Sequence, residues 1–111
     1  MMKLITRKQL LLKLDEGNIK LVFVLGDWYF RAKHIPGSIH IDMIEDAPKH
    51  LHKSDEIVVY CASVTCPASI YAYHILSEKG YKNLSRYAGG IADWEEAGLP
   101  LDGEMVTKAK H

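Results

Sequence analysis

Apolar residues gather in two short runs, "IKLVFVL" at 19–25 and "EIVVY" at 56–60. Both are too short for a typical helix and rich in branched side chains, so both predict buried strands. "NLSRYA", 83–88, predicts a last strand. Between the runs the period changes. In "PASIYAYHILSEKG", 67–80, residues Ala68, Tyr71, Ala72, Ile75 and Leu76 recur at helical spacing. Pro67 suits the first helical position and Gly80 a left-handed stop. "TRKQLLLKLDEG", 6–17, predicts a first helix, with Thr6 and Gln9 in a capping-box pattern and Gly17 as its end.

Weaker signals fill the gaps. "GDWYFRAK", 26–33, predicts a short helix capped by Asp27. "HIPGSIHI", 34–41, predicts a Pro-Gly turn and a brief strand, because Pro36 and Gly37 cannot continue a helix. "MIEDAPKHLHK", 43–53, predicts a helix broken near Pro48. "GGIADWEEAG", 89–98, predicts a short final helix with acidic residues on one face. Strands alternating with helices imply crossover connections. The fold class is therefore α/β, a mostly parallel sheet flanked by helices on both faces. Ligands of such sheets bind beyond the carboxyl ends of the strands, which is where Cys61 lies.

Composition narrows the function classes. Lys plus Arg and Asp plus Glu both number 14, so no net charge draws the chain to nucleic acid or to an anionic membrane. No apolar stretch is long enough for a membrane helix. The start, "MMKLITRKQLLLKLDEG", has too short an apolar centre at Leu10–Leu11–Leu12, broken by Lys13, to read as a secretion signal. The expected location is the cytoplasm. There, two cysteines more often serve chemistry or packing than a structural bridge.

Those cysteines stand in "YCASVTCPAS". The strand delivers Cys61 to the sheet edge, and a loop then turns into the helix starting near Pro67. Unpaired N–H groups of that first turn, together with loop amides, favour an anion. A thiolate placed there has a lowered pKa and is a ready nucleophile. Ser63 and Thr65 add hydroxyl donors at the rim. Position alone fits a small buried core residue equally well.

The order of "HIPGSIHI", a strand ending in Cys61, a helix, and "YAGGIADWEEAGLPL" resembles the single-domain rhodanese-like (sulfurtransferase) family. That family carries a GHIPGA-like turn and a GG-x-x-x-W-x-x-x-GLP stretch, here Gly89, Gly90, Trp94, Gly98, Leu99 and Pro100. The resemblance implies one rhodanese-like domain over 1–111, with a core at about 5–102 and a short C-terminal tail. It implies that Cys61 accepts a sulfane sulfur from thiosulfate, polysulfide or a protein persulfide. The sulfur then passes to a thiol or cyanide. Residues Ala62, Ser63, Val64, Thr65 and Cys66 would form the loop cradling that persulfide. The implied partners are small sulfur donors, thiol acceptors and a protein carrying a persulfide. No organic cofactor and no metal is implied.

The chain departs from the family loop C-x-x-G-x-R-S. Val64 stands at the glycine position and Cys66 at the arginine position. Lys33 replaces the glycine before the turn, and Phe23, Val24 and Leu25 replace a usual Asp-x-Arg. Without the loop arginine a planar cation for an anionic donor is missing, so weak use of thiosulfate is expected. Cys66 raises a second expectation. As a resolving thiol it would attack a Cys61 persulfide, release sulfide and leave a disulfide. The alternative is that it caps the helix or packs inward.

Other residues carry less. A cysteine phosphatase would need arginine where Pro67 stands. His50 and His52 are spaced wrongly for one helix face and are expected at the surface, as is His74. His34 is expected to hold the turn by hydrogen bonds, and His40 lies on the neighbouring strand, where the sequence does not place it relative to the site. Trp94 is expected in the core, and Trp28 and Tyr29 in a pocket or in packing. Asp93, Glu95 and Glu96 are expected to form a solvated face. The rival to a sulfurtransferase is a non-catalytic rhodanese-like module that binds or regulates a partner.

Overall fold

The computed structural model describes residues 2–62 and 65–104. Among them, four parallel strands form one sheet in the order β2-β1-β3-β4: β1 Ile19–Phe23, β2 Ile39–His40, β3 Glu56–Tyr60 and β4 Leu84–Tyr87. Four α-helices accompany them: α1 Arg7–Glu16, α2 Asp27–Ala32, α3 Ala68–Glu78 and α4 Gly90–Glu96. A 3₁₀ helix spans Ile44–Lys49. The α/β class with helices on both faces is as the sequence predicts. The segment before α1 covers the free edge of β4, through Ile5 N–H to Arg86 O at 3.0 Å and Arg86 N–H to Lys3 O at 2.9 Å.

Alternation along the strands builds two cores. Leu21, Phe23, Val58, Tyr60 and Tyr87 face one side, where Leu10 of α1 and Ile91 and Trp94 of α4 pack on them. Val22, Ile57, Val59 and Leu84 face the other, against Ala72 and Leu76 of α3 and Ile44 and Ala47 of the 3₁₀ helix. Ile57, Val58 and Val59 are all fully buried, each contributing about 1.5–3 kcal/mol of apolar transfer. A one-residue slip of β3 would exchange the two sets, so register is firmly fixed.

Local chemistry explains the boundaries. Thr6 accepts from Gln9 N–H at 3.1 Å, and the Gln9 side chain accepts from Thr6 N–H at 2.9 Å, closing the capping box. Gly17 ends α1 at a φ of 77°. Three boundaries differ from expectation. Gly26 caps α2, and Asp27 sits one place further in, where it pairs with Arg31 one turn on at 3.0 Å. Pro67 is the cap of α3 rather than its first residue. Pro48 lies inside the 3₁₀ helix instead of breaking it, because losing one N–H costs a single bond in so short a turn.

The turn at 34–38 is tied to β3. Tyr60 Oη accepts from Ile35 N–H at 2.9 Å and lies 2.8 Å from Ser38 Oγ. His34 holds the turn as expected, with Nδ1 2.7 Å from Phe30 O and its ring stacked on Phe30 at 3.9 Å. Among the described residues, no helix is long and apolar enough to cross a membrane.

Candidate functional site

Strand β3 carries the chain into the core and releases it at its carboxyl end, where Cys61 follows Tyr60. Cys61 is 1% exposed. Its backbone is held from one side by α4. Ile91 N–H donates to Cys61 O at 3.0 Å and Ala92 N–H to Ala62 O at 2.8 Å. Two otherwise orphaned donors of the α4 first turn are thereby satisfied. This contact explains the glycine pair in "YAGG". Gly90 has a φ of 61°, and a Cβ there would run into the carbonyl oxygen of Cys61. The second glycine therefore lets a helix N-terminus close onto the backbone of the cysteine.

The side chain of Cys61 turns toward α3. Its Sγ is paired with Cys66 Sγ in a disulfide, with Cα atoms 6.6 Å apart. Cys66 is half-buried, and Ala62 and Thr65 are exposed. Ser63 and Val64, expected at the rim and in the cradle, lie outside the described residues.

Ser69, in the first turn of α3 and 1% exposed, places Oγ 3.6 Å from Cys61 Sγ. Arg86 of β4 is buried too, at 6% exposure, and its Nε donates to Ser69 Oγ at 2.8 Å. The guanidinium occupies one serine lone pair, which leaves the serine O–H free to donate to the sulfur. A buried cation thus reaches Cys61 through one hydroxyl. The sequence reading missed both residues. The signal was an arginine inside a strand expected to be buried, where a charge is stable only with partners.

Two depressions flank this edge. A cleft of about 330 Å³ on the α3 side is lined by residues including Val24, Asp42, Glu45, Ala68 and Tyr71. Tyr71 donates to Glu45 Oε2 at 2.7 Å and so holds the Glu45 carboxyl below the usual carboxylate range. The rim of this cleft is therefore anionic. A groove of about 310 Å³ on the opposite side is lined by residues including Phe23, Leu25, Trp28, Tyr29, Ala62 and Ile91. Trp28 and Tyr29 are exposed along it and meet edge to face at 5.2 Å. His40 closes its own contacts nearby, with Nε2 2.8 Å from Leu25 O and its ring stacked on Phe30 at 5.1 Å.

The acidic face expected on α4 is only partly solvated. Tyr87 Oη donates to Asp93, and Arg7 pairs with Asp93 at 2.9 Å. Lys33 pairs with Glu95 at 2.8 Å. Partners distant in sequence claim both carboxylates, and helical spacing alone cannot reveal them. Glu96 is exposed. Trp94 is buried as expected and donates from Nε1 to Pro100 O at 2.7 Å. His50, His52 and His74 are exposed.

Comparison with known proteins agrees with this architecture. The family described as "Rhodanese-like domain" matches residues 6–97. The chain is 35% identical over 100 residues to an HTH-type transcriptional regulator of Mycobacterium tuberculosis, covering 88% of this chain and 44% of that protein. It therefore spans less than half the length of that relative. The solution structure of a rhodanese-like domain from Anabaena sp. superposes with a TM-score of 0.84 at 24% identity, covering 100% of this chain and 86% of that one. A rhodanese-related protein of Thermoplasma volcanium superposes with a TM-score of 0.73 at 26% identity, covering 92% and 99%.

Proposed function

The chain belongs to the rhodanese-like family, and from that premise we propose that it transfers a sulfane sulfur through a persulfide on Cys61. In the reduced protein the Cys61 thiolate attacks the outer sulfur of a donor persulfide or polysulfide. A new S–S bond forms to Cys61, the old S–S bond breaks, and the donor leaves as a thiolate. A thiol or cyanide acceptor then attacks the outer sulfur and regenerates the Cys61 thiolate.

The observation that carries this reading is the buried line Cys61, Ser69, Arg86. A hydroxyl donor backed by a guanidinium stabilises an anionic sulfur in a site shielded from water. The same surroundings suit a thiolate and a persulfide anion. The preferred donor is one without a sulfonate group. Cys66 replaces the loop arginine, and Asp42 and Glu45 line the neighbouring cleft, so thiosulfate, whose departing sulfite lacks a planar cation to hold it, is poorly received.

A second reading is a regulatory rhodanese-like module without turnover. The observation favouring it is the identity shared with a transcriptional regulator more than twice the matched length. One experiment separates the two. The protein, reduced with dithiothreitol and then freed of it, is incubated with polysulfide or thiosulfate, trapped with an alkylating agent and weighed intact. Sulfur gained by Cys66→Ser, which cannot form the internal disulfide, and not by Cys61→Ser supports transfer, with polysulfide the better donor. No gain by Cys66→Ser from either donor, with the fold retained by circular dichroism, favours the regulatory module.

A further inference from the structure

We propose that Cys66 resolves the Cys61 persulfide internally, so that the chain converts a sulfane sulfur into free hydrosulfide and ends each cycle as the Cys61–Cys66 disulfide. The inference rests on the reading of Cys61 as the sulfur acceptor. The Cys66 thiolate attacks Cys61 Sγ, a Cys61–Cys66 S–S bond forms, and the Cys61–sulfur bond of the persulfide breaks with its electron pair leaving on hydrosulfide. The sulfane sulfur is reduced, and the two cysteine sulfurs are oxidised by the same two electrons. An external dithiol then reduces the disulfide and restores both thiols.

Three observations carry this. The first is reach. The two sulfurs are already paired, and a Cα separation of 6.6 Å lies within the range a disulfide spans. A thiol held at that distance acts at a high effective concentration, which a free acceptor in solution does not match. The second is the direction of attack. Ser69 and Arg86 hold the inner sulfur, Cys61 Sγ, from the α3 side, and Cys66 is the half-buried residue on it. Hydrosulfide is a weaker base than an ordinary cysteine thiolate, so it leaves readily. The third is the surrounding charge. The cleft beside Ala68, two residues beyond Cys66, carries Asp42 and Glu45. A small thiolate approaching from that cleft meets like charge, whereas Cys66 is held beside Cys61 by the chain itself.

The test uses the full chain with glutathione persulfide, a donor whose own leaving group is glutathione, so that hydrosulfide arises from the second step. Wild type, Cys61→Ser and Cys66→Ser are reduced, freed of reductant and exposed to a stoichiometric amount of donor. Hydrosulfide is measured by electrode against the Cys61→Ser background, and each protein is weighed intact after alkylation. The wild type is expected to release one equivalent of hydrosulfide per chain and to lose two alkylatable thiols. Cys66→Ser is expected to retain one extra sulfur and to release hydrosulfide at least about tenfold more slowly. Cyanide should recover that sulfur as thiocyanate from Cys66→Ser. If the wild type holds the extra sulfur as stably as Cys66→Ser does, the resolving role is wrong and the acceptor role of Cys61 stands. If Cys66→Ser melts as the wild type does and neither gains sulfur, both readings fall.

Discussion

The two sides of the sheet use their polar groups differently. On the α1 and α4 side the core is aromatic, and its hydroxyls are committed to holding structure. Tyr60 anchors the turn at Ile35 and Ser38, and Tyr87 donates to Asp93 at the start of α4. On the α3 side the core is mostly aliphatic, with Tyr81 donating to Leu51 O at 2.9 Å, and at the carboxyl edge Cys61, Ser69 and Arg86 meet. Those contacts end on a sulfur rather than on a backbone group of a turn or helix. One side therefore positions the backbone of Cys61, and the other sets the chemistry of its side chain.

The comparison is broken most severely at the residue that serves both sides. Gly90→Ala places a Cβ against the Cys61 carbonyl in a left-handed conformation. It should cost about 3 kcal/mol in a denaturant melt and slow sulfur loading as well. Arg86→Met acts on the α3 side alone. It should raise the pH midpoint of Cys61 alkylation in the reduced protein, because the Ser69 hydroxyl loses the cation behind it. Arg86→Lys should not fully restore the value, because an ammonium does not reproduce the Nε–H fork.

Tyr60→Phe acts on the other side alone. It should cost about 1–2 kcal/mol, since the Ile35 N–H loses its buried acceptor, and should leave alkylation of Cys61 unchanged. It also has a pH signature. Burial pushes the Tyr60 hydroxyl up to about 12, and burial, with help from Asp93, raises Tyr87 as well. The neutral forms are the folded ones. Their contribution is therefore fully present below about pH 10, the ordinary tyrosine value, and is lost as the pH rises through about 12. Alkaline unfolding of Tyr60→Phe should begin later than that of the wild type relative to its own neutral-pH stability. The smallest effect belongs to the rim. Lys33→Ala removes an exposed pair with Glu95 and should shift stability by no more than about 0.5 kcal/mol.

How much of this was legible in the sequence follows the same division. The capping box at Thr6, the buried runs and Gly17 at the end of α1 are local signals, and the structure places them as expected. Cys61 at the strand end follows from the same reading. Ser69 and Arg86 are 17 residues apart in sequence and belong to different elements. No periodicity connects them, so their meeting exists only after the sheet has formed. Asp93 departs from its expected solvated face for the same reason, because Arg7 and Tyr87 reach it from outside α4. Gly26 rather than Asp27 caps α2, because in so short a helix a one-residue shift of its start leaves the apolar pattern unchanged.

The pairing of Cys61 with Cys66 closes a small ring of chain, five residues in separation. Such a ring restricts the unfolded ensemble by about 2 kcal/mol of loop entropy. Each redox state of the pair then has its own melting temperature, the oxidised form the higher. A thermal scan of the protein drawn from a cell extract would report which state it occupied there, with no label on the sulfur.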